Sequence, residues 1–163
     1  MDDFTFGLLY SVVAVVLIGV LLFLLGRKLD RRLYLRPVLY GFLFGAGVSL
    51  LFVGGIFTFF IGGAVTGYLL AREVRGWWSQ FRAGGLNGTL IICSPILANM
   101  FLLFTRGVSD IVVPQASHEE VLFLLYGDMF LYAFMLVAIV GVGAVLGGLL
   151  RKFLKPAELG PQQ

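Results

Sequence analysis

Charged residues are scarce in this chain. Only 13% of its 163 residues are Asp, Glu, Lys or Arg, whereas 60% are hydrophobic, and the mean hydropathy is +0.99. Soluble domains carry about twice that share of charge. No polar interval is long enough to form a soluble domain of its own. The composition therefore excludes a water-soluble protein and predicts an integral membrane protein.

Residues that carry chemistry are equally few. Cys93 is the only cysteine and His118 the only histidine. A single cysteine cannot form an internal disulfide, and there is no Cys/His cluster for a metal site. Neither Cys93 nor Ser94 has a histidine or a paired carboxylate at similar depth, as intramembrane catalysis requires. We therefore expect no enzyme activity, no cofactor and no metal.

Apolar runs make up most of the chain. They predict an all-α integral membrane protein, 1–163 forming one transmembrane domain, because each run has roughly the length that crosses a bilayer as a helix. The last four helices are expected to form two glycine-rich hairpins. The five predicted spans are approximately 7–26, 37–54, 55–71, 83–104 and 129–150.

The uncharged stretch 37–71 decides this count. As one helix it would be about 52 Å long, which exceeds the hydrocarbon thickness even with strong tilt. Two short spans fit better, and the pair Gly54-Gly55 is the natural turn because glycine accepts the backbone angles of a tight reversal. Pro37 is expected in the first turn of the second span.

The distribution of positive charge predicts the orientation. With five spans, eleven of the twelve Lys and Arg residues lie on one side and Arg106 alone on the other. Positive residues mark the cytoplasmic side, so the N-terminus is expected outside and the C-terminus inside the cell membrane. The inner basic segments, with Trp77 and Trp78, are expected to contact anionic lipid headgroups rather than nucleic acid.

The spacing of Ser117 and Glu120 is that of a capping box, which predicts a helix start in the loop before the last span. The first turns of this helix, as far as Asp128, are expected at the outer interface.

Glycines recur at a spacing that permits close helix packing. Two interpretations are open: packing inside one subunit, or a homo-oligomer seam or pore wall. The expected packing residues are Gly41, Gly45, Gly63, Gly67, Gly84, Gly88, Gly143 and Gly147.

Two of these segments also match each other in sequence. The segment from Gly63, GAVTGYLL, aligns with the segment from Gly143, GAVLGGLL. The match suggests a parallel internal repeat of hairpins, related by an axis along the membrane normal. A chain with 22 glycines also produces such matches by chance.

Three polar residues fall within or beside the spans. Asn87, Asn99 and Asp128 could contact a solute or an ion. The alternative for the two asparagines is interhelical hydrogen bonding near the kink at Pro95. For Asp128, the alternative is an ordinary charge at the interface.

The motif IGGAVTGYLLAREVR, followed by RAGGLNGTL, resembles small archaeal membrane proteins of uncharacterised function. Their pattern is two glycine-rich hairpins, and it is carried here by Gly62, Gly63, Gly67, Tyr68, Gly84 and Gly88. The resemblance covers roughly 37–150, and the first span is additional to it. It implies a fold outline and no activity.

The sequence therefore predicts a non-enzymatic multi-pass membrane protein. It is expected to associate with itself, or with a membrane partner, through glycine-rich helix faces. The alternative is a small channel or transporter subunit that moves an ion or a small solute.

Overall fold

The computed structural model describes residues 2–27, 29–51, 56–109, 111 and 117–155. Throughout these residues the regular structure is helical. The described residues form five helices. Four of them are long and apolar enough to cross a membrane, whereas the third is apolar but has only 15 residues. The prediction of an all-α, multi-pass membrane protein is confirmed at this level. The five helices are α1 (Asp3–Gly26), α2 (Arg31–Leu51), α3 (Ile56–Leu70), α4 (Trp77–Arg106) and α5 (His118–Leu154).

The predicted position of Pro37 is wrong. Helix α2 begins at Arg31, so Pro37 lies inside the helix instead of in its first turn. The reason is the residue before the helix. The carboxylate of Asp30 accepts a hydrogen bond from the backbone N–H of Arg32 at 3.0 Å, and its carbonyl accepts from Leu33 and Tyr34. Asp30 thus acts as an N-cap and starts the helix earlier than a proline would.

The start of α5 is as predicted. Ser117 is its N-cap, and the capping box with Glu120 is complete. The Glu120 carboxylate accepts a hydrogen bond from the backbone N–H of Ser117 at 2.9 Å. Hydrogen bonding to Ser117 lowers the pKa of Glu120 below its ordinary value. Asp128, ten residues into α5, is exposed.

Helix α4 contacts each of the other four helices. Helix α5 packs most extensively against α3 and next against α4, while α2 packs on α3 and α1 on α4. Ile92 and Ile96 of α4 meet Leu136 and Val137 of α5 in the largest apolar cluster, to which α1 contributes Ala14. In the described residues, α1 and α2 do not pack against each other. This leaves a gap between the first two helices.

Helices α2 and α3 pack side by side and run in opposite directions. Gly41 of α2 lies against Gly62 and Thr66, whereas Gly45, one turn later, lies against Gly62 and Thr58. Contacts that move backwards along α3 as they advance along α2 define an antiparallel pair. The predicted turn at Gly54-Gly55 lies outside the described residues.

Candidate functional site

The contact between α3 and α5 is the most extensive in the bundle, and we call it the glycine seam. In each of its four pairs, a methyl group built on the glycine would collide with the backbone carbonyl oxygen of the facing residue. The two helices therefore meet backbone to backbone, which only glycine permits. The pairs are Gly63 with Val140, Gly67 with Ala144, Gly143 with Phe60, and Gly147 with Ala64.

These pairs follow a reciprocal rule. Gly63 faces Val140, three residues before Gly143, and Gly143 faces Phe60, three residues before Gly63. One turn later, Gly67 faces Ala144 and Gly147 faces Ala64 in the same way. Because contacts advance in the same direction on both helices, α3 and α5 run parallel. The reciprocity means that an approximate two-fold axis runs between them.

The remaining predicted packing glycines also face helices of this chain. Gly84 lies against Val140 and Ala144 of α5, and Gly88 against Leu136 and Val137. Gly41 and Gly45 lie in the α2–α3 contact described above. A methyl group added to any of the eight glycines named from the sequence would thus lie within 4 Å of a neighbouring helix of the same chain.

Asn87 is fully buried where α2, α3 and α4 meet. Its Nδ2 donates to the Thr66 hydroxyl at 2.9 Å, and that hydroxyl donates to the carbonyl of Gly62 at 3.0 Å. The Oδ1 atom of Asn87 is buried and has no hydrogen-bond partner among the described residues. The Asn87 side chain thus links α4 to α3 through one of its two polar atoms.

Asn99 is buried in a different network, towards the other end of α4. Its Nδ2 donates to the Ser11 hydroxyl at 2.9 Å, and its Oδ1 accepts from the Ser109 hydroxyl at 2.9 Å. Ser11 in turn donates to the carbonyl of Gly7 at 2.8 Å. Asn99 therefore connects α1, α4 and the segment after α4.

The three polar residues predicted for solute contact do not form one site. Asn87 and Asn99 are separated by three turns of α4, about 18 Å along the axis. They bond to different helices, and Asp128 is exposed. Among the residues the structure describes, no group of three or more His, Cys, Asp or Glu could hold a metal ion.

No family model, curated protein or solved structure matches this chain. The resemblance to archaeal two-hairpin proteins thus stays a prediction.

Two buried polar residues carry no distinguishing signal in the sequence. Arg151 of α5 is 6% exposed, and its Nη1 donates to the carbonyl of Tyr68 at 3.2 Å. Its guanidinium also lies 5.0 Å from the centre of the Tyr68 ring. Gln80 of α4 donates to the carbonyl of Val74 at 3.3 Å. Arg151 follows an apolar run like any flanking cation, and that pattern does not indicate burial.

Proposed function

We propose that this chain is a non-enzymatic, multi-pass protein of the cell membrane that acts by assembling with further membrane helices. The partner is a second copy of the chain or another membrane protein. In this proposal α3 crosses the bilayer, giving five spans with the N-terminus outside. The two hairpins α2–α3 and α4–α5 are the halves of a parallel repeat joined at the glycine seam.

The interior supports a structural role for the glycines. The eight packing glycines have little room beside them, since their neighbours are backbones and side chains of adjacent helices. The buried Thr66, Thr89 and Asn99 bond to neighbouring backbone or side-chain groups. Because these faces are occupied within the chain, we place the assembly surface on an outer face and not on the glycines themselves.

The approximate two-fold relation between α3 and α5 indicates which face. Helix α2 covers the side of α3 that carries Gly62 and Thr66. The positions that match them on α5 are Val142 and Leu146, which are 47% and 48% exposed. We call these two residues the open α5 face. The observation that carries the proposal is this asymmetry: α2 covers Gly62 and Thr66 of α3, whereas Val142 and Leu146 of α5 stay about half exposed among the described residues.

Site-specific photo-crosslinking in the native membrane tests the proposal. With a photoreactive amino acid at Leu146, we expect crosslinks to a second copy or to one defined membrane protein. The matched control is Leu43, an exposed leucine of α2 that does not face α5. The same probe at Leu43 is expected to react with lipid only. Equal protein crosslinking at both positions, or none at either together with a lone monomer by native mass spectrometry, would contradict assembly through this face.

One observation favours transport as a second candidate function. The buried Oδ1 of Asn87 lacks a protein partner among the described residues, and buried polar atoms in folded proteins nearly always have a partner, a place that water or an ion can take. Purified protein in liposomes separates the two functions. Solute or ion flux that is lost on Asn87→Leu would favour transport, and flux no greater than in protein-free liposomes would favour assembly.

A further inference from the structure

A groove runs between the end of α1 and the start of α2, with α4 as its floor. Its volume is about 520 Å³, within the range of small-molecule and lipid sites. It exists because α1 and α2 are consecutive in the chain yet do not pack together in the described residues. Its lining includes Phe23, Arg27, Leu35, Val38, Leu86 and Leu90.

The walls of the groove suit a hydrocarbon chain. Leu86 and Leu90 form the floor, and the buried Val38 lines one side. At the rim, Phe23 and Leu35 are 64% and 58% exposed, so the groove is reached from the lipid side. An apolar groove that faces lipid can take an acyl chain without removing any polar group from water.

The mouth of the groove carries positive charge. Arg27 lines it, and the guanidinium lies 5.8 Å from the centre of the Phe23 ring. Between residues 27 and 36 the chain has five basic residues and one acid, Asp30. Of these basic residues, Arg32 and Arg36 are exposed. The Asp30 carboxylate accepts a hydrogen bond from the backbone N–H of Arg32. The net positive charge beside the mouth favours a headgroup of net negative charge over a zwitterionic one.

We propose that this groove binds an anionic phospholipid from the bilayer, with one acyl chain between α1 and α2 and the phosphate against Arg27. Apolar walls and a cationic mouth meet at one site, as they do in pockets that hold acidic lipids between transmembrane helices. The proposal does not depend on assembly, since the groove lies within one copy of the chain.

Native mass spectrometry of the purified protein with phosphatidylglycerol or phosphatidylcholine of identical chains tests this proposal. We expect one retained phosphatidylglycerol, with about tenfold preference over phosphatidylcholine, because both lipids offer a phosphate to Arg27 but only phosphatidylcholine carries a choline cation, which the basic segment 27–36 repels. Arg27→Gln should lower the preference several-fold and weaken the binding of both lipids, because the phosphate loses its partner at the mouth while the other basic residues of 27–36 remain. The control is Arg72→Gln, which removes an exposed cation from a different segment.

Filling the groove separates acyl binding from nonspecific adhesion. Leu90→Trp, on the floor, and Leu35→Trp, at the exposed rim, should both reduce lipid retention about tenfold. Leu35→Trp guards against a folding defect because the side chain lies largely outside the core. Leu97→Trp, at an exposed position of α4 outside the groove, serves as the control. Equal retention of the two lipids, or groove variants that behave like their controls, would overturn the proposal.

Discussion

Replacing Gly67 with alanine will destabilise the folded protein by about 2–3 kcal/mol, the upper part of the range for overpacked sites. The added methyl group would collide with the carbonyl oxygen of Ala144 in the glycine seam. A carbonyl oxygen of a helix cannot rotate away as a flexible side chain can. The two helices must therefore separate, and they lose van der Waals contact along the whole seam.

The matched control is Gly47→Ala in α2. A methyl group built on Gly47 meets nothing within 4 Å, so the substitution carries no steric cost. Alanine is also the better helix former, by about 1 kcal/mol in water. In mixed micelles titrated with SDS, Gly67→Ala should unfold at a lower SDS fraction than the unsubstituted protein. Gly47→Ala should unfold at the same or a higher SDS fraction. Similar destabilisation by both substitutions would show that the seam has no special role.

Replacing Asn99 with leucine will destabilise the protein by about 2 kcal/mol, near the upper value for an interhelical network in a membrane protein. The substitution removes a donor to Ser11 and an acceptor for Ser109, so it loosens α1 and the segment after α4 together. The hydroxyl of Ser109 is then left beside an apolar side chain, which adds a desolvation cost.

Asn87→Leu is the control for this second prediction. It also removes a buried amide of α4, but one that bonds through Nδ2 while its Oδ1 has no partner among the described residues. Thr66 keeps its own bond to the carbonyl of Gly62. The loss should therefore stay below about 1 kcal/mol. If Asn87→Leu costs as much as Asn99→Leu in the same SDS titration, the predicted difference between the two networks is wrong.

Apolar length and local chemistry make much of the helical outline predictable. Runs such as 7–26 carry too little charge for water, and Ser117 with Glu120 marks the start of α5. The start of α2 is predicted wrongly from Pro37 because a favourable first-turn residue does not by itself fix a helix start. The N-cap at Asp30 fixes the start of α2, so six further residues, 31–36, belong to the helix before the proline.

The eight glycines named from the sequence lie beside neighbouring helices, but the sequence does not show which helix each of them meets. Helical faces in a membrane are apolar on all sides, so periodicity does not show which face of α5 turns towards α3 or α4. Gly63 and Gly84 both lie against Val140, a convergence that becomes visible only when three helices are in place. For the same reason, the sequence groups Asn87 with Asn99, although helix rotation directs them to separate neighbours.

We propose that α3 crosses the membrane, antiparallel to α2 and parallel to α5. Labelling with a membrane-impermeant thiol reagent, in a Cys93→Ser background, tests it most directly. Arg32→Cys, Arg72→Cys and Glu119→Cys place single thiols at exposed positions near the start of α2, after α3 and at the start of α5. We predict that positions 32 and 72 are labelled from the same side and position 119 from the opposite side. Labelling of 32 and 72 from opposite sides would mean that 37–71 crosses only once, and would contradict the claim.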